Sequence, residues 1–482
     1  MSVSRGFVAR VVALVVATAA LSVGFVIEPP FANAAVRHRT LNDTRLVSSA
    51  PVTPGHAIDH FGVVADLDSP TGLDPRGATP YGEARFLVDD RWTPWQQLDV
   101  DGAQAEGQFT GSLIAVDHAT AYQVRNLPQG AHNWRAAAIN TTDGPVESLA
   151  TRGLSEAHAA VPCRSRADWG ADESITGWAH GDVRAFSRAQ AMTVHHTAGS
   201  NTATQNYSAT VRAILNYHVV TNGWSDIGYQ YLIDRSGIVY EGRSAGRPSV
   251  SCLKAGGNGS DFAHQEGTEL VVTGAHVTSY NTGNLGISLM GCFNTTGGCS
   301  GDTTVPAGSV AGLESLLAEI AARHSLKPQG LVGYVNPVSG VKASIAVIAT
   351  HKDWPATSTV CPGDRLYVKL PTIRAHVAQK LGIPVVVAPA APTNLIAKPT
   401  STSRVTLTWT DTSSNEQGFL IERCTGSTCT AFAQIAKVAA GTRTYSNTGL
   451  VSSTTYKYRV RAYNQAVNSG YSTIASATTL RK

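Results

Sequence analysis

Four side chains of this sequence could supply metal ligands for a hydrolytic centre. His195 and His196 close the run Met-Thr-Val-His-His-Thr, His351 follows Ile-Ala-Thr, and Cys361 lies ten residues further on in Thr-Val-Cys-Pro-Gly. Catalytic zinc takes three protein ligands from His, Cys or carboxylate and keeps a fourth position for water. Met-Thr-Val-His-His reads as a strand, on which successive side chains point to opposite faces, so only one of the two adjacent histidines can enter such a site. A plainer reading competes with this one: a chain with 15 histidines presents such pairs by chance, and the group could be a core histidine beside a buried thiol.

The cysteines favour the metal. Arg5 and Arg10 precede an apolar stretch from Val11 to Val26, and the small-residue triplet Ala32-Asn33-Ala34 follows, the order of a secretory signal peptide spanning residues 1–34. The apolar run falls short of the ~20 residues that cross a bilayer, and no later segment supplies them. Export exposes thiols to an oxidising compartment, secreted or cell-wall associated, where they normally pair. Seven cysteines leave one over. Cys292 with Cys299 and Cys424 with Cys429 are near enough to close small loops, and Cys163 with Cys252 is the remaining long-range bridge. Cys361 is then the odd one, and a thiolate near His351 in an exported chain is better explained by a metal than by accident.

These residues need a scaffold. At 482 residues the chain has room for roughly three domains at ~150 residues each. A net charge of +4, with 15% charged residues and no basic run, excludes a nucleic-acid binder that works by neutralising phosphates. Residues 35–160 show short alternating segments, among them Ala57 to Asp66, Arg85 to Val88, Tyr122 to Arg125 and Trp134 to Ile139, separated by Gly, Pro, Asp and Asn. This predicts a β-rich domain, a sandwich. Trp92, Trp95 and Trp134 read as core ahead of a sugar-binding face.

Residues 161–383 alternate strands and helices. Strand-like runs fall at Ala191 to His195, Gly228 to Ile233, Gly237 to Tyr240, Leu270 to Gly274, Leu285 to Met290 and Ile345 to Ala349. Helical stripes join Tyr207, Val211, Ile214, Leu215, His218 and Val219; Val310, Leu313, Leu316, Leu317 and Ile320; and Leu366, Leu370, Ile373, Val377 and Leu381. The order predicts an α/β domain with a central mixed sheet. Residues 384–392, rich in Pro, Ala and Val, read as an extended linker. Alternation at Leu407 to Trp409, Phe419 to Arg423 and Tyr456 to Tyr463 predicts a C-terminal β-sandwich over 393–482.

The middle region resembles a peptidoglycan recognition protein, or type 2 amidase, domain. The likeness runs through Ser165-Arg166-Ala167-Asp168-Trp169-Gly170, Val194-His195-His196-Thr197, Gly223-Trp224-Ser225-Asp226-Ile227-Gly228-Tyr229, Tyr240-Glu241-Gly242-Arg243, Gly274-Ala275-His276-Val277, Asn284-Leu285-Gly286-Ile287-Ser288 and Cys361-Pro362-Gly363-Asp364. The last segment resembles a fibronectin type III domain, with Trp409 and Tyr456 at core positions. The amidase resemblance implies that His195, His351 and Cys361 are zinc ligands, that His196 points away, and that Tyr229 lies beside the metal and serves the attacking water. Thr359 stands where some relatives carry lysine and could deliver a proton to the leaving amine. His276, Trp224 and Arg243 would border the substrate groove.

The activity implied is that of a secreted zinc-dependent N-acetylmuramoyl-L-alanine amidase, a hydrolase cutting the lactyl-peptide amide of bacterial peptidoglycan, acting as a monomer. The alternative is a recognition protein that binds muropeptide without cutting it. Family members of that kind typically lack the cysteine ligand. A further reading makes the β-domains the active parts and the middle domain a passive wall anchor. Two departures from the family stand out: a long Gly- and Ser-rich insertion between Arg243 and Gly274 that contains Cys252, and a slightly longer stretch from His351 to Cys361.

Overall fold

The computed structural model describes residues 36–68, 82–98, 107–148, 162–199, 201, 206–246, 263–265, 268–295, 299, 301–355, 357, 359–464 and 468–481. The expected signal peptide, Cys252 and most of the insertion that contains it lie outside the described residues. No helix among the described residues is long and apolar enough to cross a membrane.

The N-terminal region is β-rich, as its alternation predicts. Leu41–Leu46, Ala131–Asn140, Ile58–Leu67, Gln108–Thr110 and Ile114–Ala119 form one sheet, and Glu83–Val88, Arg91–Trp92, Gln96–Gln97 and Ala121–Arg125 a second. Phe61, Val63, Phe86, Phe109, Tyr122 and Ala136 share a buried core. Trp134 packs against Phe109 with ring centroids 5.0 Å apart. Trp92 and Trp95 instead sit against guanidinium groups, Arg85 over both and Arg125 over Trp95.

Ile58–Leu67 is buried on both faces, which strict alternation would not produce. Phe61, Val63 and Ala65 enter the domain's own core. Val64, with Leu113, Ala137 and Ile139, joins Val211, Ile214, Leu215 and Tyr217 of the central region in another core. The Tyr217 hydroxyl donates towards the carbonyls of Val63 and Gly111, at 2.7 and 3.0 Å. Gly62 makes this approach possible, since a Cβ there would lie 2.7 Å from the Tyr217 ring. The first β-domain is therefore bonded into the central one.

The central region has a six-stranded sheet ordered Cys163–Arg164, Val239–Glu241, Tyr231–Ile233, Asn284–Leu289, Ala191–His196, Ile348–Thr350. Its pairs are parallel except Tyr231–Ile233 against Val239–Glu241. The expected apolar stripes place Ala307–Arg323 and Leu370–Lys380 on one face, where Leu313, Leu316, Leu317, Ile320, Ile373 and Val377 bury with Met192, Val194, Ile287 and Leu289. Each such side chain contributes about 1.5–3 kcal/mol through the apolar surface it removes from water. Tyr207–Asn216 covers part of the opposite face with Leu232, Tyr240 and Met290.

Ile345 to Ala349, expected as one strand, is divided between two sheets. Lys342–Ala346 makes a hairpin with Leu331–Val335, and Ile348–Thr350 joins the central sheet. Val347 is the crossover: its N–H donates to Gly330 O and its carbonyl accepts from Met192 N–H.

The C-terminal strands form three- and four-stranded sheets around Trp409, Phe419, Tyr456 and Tyr458. The linker residues 384–392 carry no helix or strand and are held at both sides. Gln329 exchanges two hydrogen bonds with the Val386 backbone, while Asn415 and Asn464 donate to Val387 O.

Candidate metal centre

His195, His351 and Cys361 converge. Their ligand atoms all lie within 4.8 Å of one another, and all three residues are buried. His195 reaches the site from Ala191–His196, the fifth of the six strands, and His351 begins a short helical turn directly after Ile348–Thr350, the edge strand beside it. Cys361 returns from the loop beyond, and its Sγ lies 3.5 Å from His195 Nδ1. It belongs to no disulfide, whereas Cys292–Cys299 and Cys424–Cys429 are bridged. Cys163 is disulfide-bonded as well; Cys252, its expected partner, lies outside the described residues.

Strand alternation separates the adjacent histidines. His195 turns to the site, and His196 turns to the face covered by Ala307–Arg323, where its Nδ1 accepts from Phe293 N–H at 3.3 Å. Its backbone still serves the site, for the His196 N–H points at Cys361 Sγ from 3.5 Å. Burial pushes the His196 imidazole down to about 3.

His276, expected to border the substrate groove, is fully buried and lies against His195. Its Nε2 lies 3.0 Å from the Asn284 carbonyl, which can only accept, so Nε2 carries the hydrogen and Nδ1 has the lone pair. That Nδ1 is 3.0 Å from His195 Nε2, which must then donate. The relay leaves His195 Nδ1 with its lone pair facing Cys361 and His351, the tautomer a metal ligand requires. Burial lowers the His276 pKa to about 4 and depresses His195 well below its ordinary value, which keeps both rings neutral. The signal in the sequence was glycine: a Cβ on Gly274 or Gly286 would approach the His276 ring to 2.6 Å.

Tyr229 is buried with its ring 5.1 Å from that of His195. His218, given no role by sequence, receives the Gly228 N–H on Nδ1 at 3.1 Å and packs against Trp224 with centroids 4.6 Å apart. It lies on the π-helical turn Tyr217–Thr221, directly after the tyrosine that the N-terminal domain holds. Trp224 itself is half-buried. Thr359 is buried, and its Oγ1 accepts the Cys361 N–H at 3.1 Å, so it shapes the turn that presents the sulfur.

Arg243, also expected in the groove, is buried and donates to Ile227 O at 3.0 Å. It belongs to a charge cluster beneath the Tyr229 loop. Asp226 Oδ1 accepts from Arg166 and Ile227 N–H, and Oδ2 from Trp178 Nε1 and Ser244 N–H. Burial alone would lower Arg166, but Asp226 and Glu173 outweigh it and raise its pKa. Burial holds Glu241 well above the usual carboxylate range.

A mixed sheet thus brings two imidazoles and a thiol to one point of an α/β domain. Residues 185–364 match the family described as N-acetylmuramoyl-L-alanine amidase, and residues 390–478 match the fibronectin type III domain. Peptidoglycan recognition protein 1 of Bos indicus is 31% identical over 221 residues, 45% of this chain and 87% of that protein. Peptidoglycan-recognition protein SC2 of Drosophila melanogaster is 26% identical over 225 residues, 46% of this chain and 92% of that one. Among solved structures, Drosophila PGRP-LB aligns over 47% of this chain and 97% of that chain, at 19% identity and a TM-score of 0.28. The chain belongs to the peptidoglycan recognition protein family.

Proposed function

We propose that the chain is a secreted, zinc-dependent N-acetylmuramoyl-L-alanine amidase that hydrolyses the lactyl-peptide amide of bacterial peptidoglycan. The convergence of His195, His351 and Cys361 carries this reading. Zinc bonds of ~2.05 Å to nitrogen and ~2.3 Å to sulfur at a tetrahedral angle put the two donors ~3.6 Å apart. Cys361 Sγ and His195 Nδ1 are 3.5 Å apart, so the donor set fits the ion without rearrangement of that pair. Bound zinc would supply a Lewis acid for the scissile carbonyl and bring the pKa of a water to ~7.

The protein's own residues prepare the rest. Asn284 and His276 fix the tautomer of His195, and the His196 N–H stabilises negative charge on Cys361. Thr359 holds the backbone of the cysteine turn and acts here as a positioning residue. Tyr229, its ring 5.1 Å from that of His195, is the proposed oxyanion donor, and the Asp226 cluster and His218 fix the loop that carries it.

The relatives' names speak for recognition of peptidoglycan, and a chain that binds muropeptide without cutting is the second reading. Zinc content by mass spectrometry, together with release of stem peptide from purified wall, separates the two. The amidase reading expects one ion at this site and release that stops on chelation and returns with zinc. Wall binding without release by the zinc-loaded protein would leave recognition alone.

A further inference from the structure

A second group of donors lies outside the site described above. His264 and His324 meet with Nε2 atoms 2.7 Å apart, and the Glu269 carboxylate converges on them with all three ligand atoms within 4.8 Å of one another. The imidazole planes are only 9° from parallel, with centroids 4.8 Å apart. A nitrogen separation of 2.7 Å is closer than two ring faces can approach, so the rings meet edge to edge, nitrogen to nitrogen.

We infer that His264, His324 and Glu269 form a structural site for a borderline divalent transition-metal ion, with zinc as its simplest occupant. Two imidazoles and one carboxylate are a donor set for such ions. A hydrogen-bonded histidine pair needs no third group, and Glu269 adds an anionic donor to the two imidazoles. On tetrahedral zinc with bonds of ~2.05 Å the two nitrogens stand ~3.3 Å apart, so the rings need to part by a few tenths of an ångström each.

Placement adds a second argument. His324 caps the C-terminal end of Ala307–Arg323, where the helix dipole favours positive charge. His264 is buried on a short segment bridged to Val271, with Ala263 O accepting from Val272 N–H and Gln265 N–H donating to Leu270 O. Glu269 immediately precedes the strand Leu270–Val272. An ion here would fasten the end of the insertion between Arg243 and Gly274 to a core helix. Arg323 donates to Glu269 Oε2 at 3.1 Å, and the carboxylate's other oxygen can meet the ion while that pair persists. The neighbouring guanidinium weakens the site relative to an uncharged surround.

The inference does not depend on the amidase reading, and the test removes the first centre. Equilibrium dialysis against zinc, with the metal counted by mass spectrometry, is run on the full chain carrying His351→Ala and Cys361→Ser. One ion per chain is expected in that background, together with a rise in thermal midpoint on adding zinc. Adding His324→Gln, at a half-exposed position, should abolish both, and His264→Gln should do the same. Exposed Glu269→Gln should weaken binding at least about tenfold, the loss that even an outer-shell partner causes. Circular dichroism of each variant checks that the fold is intact. A double variant that takes up no zinc, or one that binds it unchanged after His324→Gln, would overturn the inference and leave a hydrogen-bonded histidine pair.

Discussion

Replacing Asp226 with asparagine disturbs the cluster beneath Tyr229 while leaving every proposed zinc ligand in place. The carboxylate is fully buried and takes four donors, Arg166 at 3.0 Å and Ile227 N–H at 2.8 Å on one oxygen, Trp178 Nε1 at 2.9 Å and Ser244 N–H at 3.0 Å on the other. An asparagine keeps one acceptor oxygen. Whichever way the amide is turned, its NH2 faces two donors and two hydrogen bonds are lost. Removing one partner of a buried ion pair costs ~3–5 kcal/mol. Arg166 still reaches Glu173 at 2.7 and 2.9 Å and the Gly242 carbonyl, so it is not stranded and the lower end applies. At about 3 kcal/mol, and 2–4 °C per kcal/mol for a domain of ~200 residues, the thermal midpoint of the central domain should fall by about 6–12 °C. Thermal and guanidinium melts of the full chain measure this. Glu173→Gln is the control: its side chain is 41% exposed, so solvent screens its share of the pair and the loss should stay at about 1 kcal/mol. An Asp226→Asn loss below about 1 kcal/mol, or an equal loss from Glu173→Gln, would refute the reasoning.

Cys361→Ser should abolish zinc uptake at the first centre and stem-peptide release while wall pull-down persists; release at the native rate would remove the thiolate from the mechanism. His276→Gln should lower zinc affinity about 10–100-fold through the lost support of His195, measured by competition with a chromophoric chelator. Tyr217→Phe should cost about 1 kcal/mol: Gly111 O loses a donor, while Val63 O keeps the Gly111 N–H at 2.8 Å. Gly62→Ala, which drives a Cβ against the Tyr217 ring, should cost more, about 1–3 kcal/mol, both measured in guanidinium melts. The metal-free chain should also be acid-labile. His196 has a folded pKa of about 3 because burial disfavours its charged form. Unfolded histidine titrates near ~6.5, so between those values the unfolded chain binds a proton that the folded chain does not, and stability falls as pH drops. At pH 5 the loss from this residue is ~2 kcal/mol, and urea midpoints that agree at pH 7 and pH 5 would contradict it.

Local order decided much of this protein, and local order is legible in sequence. The β-rich first region, the stripes of Ala307–Arg323 and Leu370–Lys380 and the alternation of Thr455–Tyr463 follow from apolar spacing, since each segment must bury one face. That only one of His195 and His196 can enter a site follows from the period of a strand, and that Cys361 was the odd cysteine followed from an odd count and the nearness in sequence of Cys292 to Cys299 and Cys424 to Cys429. Tertiary structure decided the rest, because it concerns which segments meet. Nothing local distinguishes His276 in a groove from His276 behind His195; that depends on Asn284–Leu289 lying beside Ala191–His196, with Gly286 leaving room for the ring. Nor does anything local show that Arg243, expected to border the groove, is buried beside Asp226. The two-sided burial of Ile58–Leu67 likewise has no partner in the sequence around it, for the partner is a helix some 150 residues further along the chain.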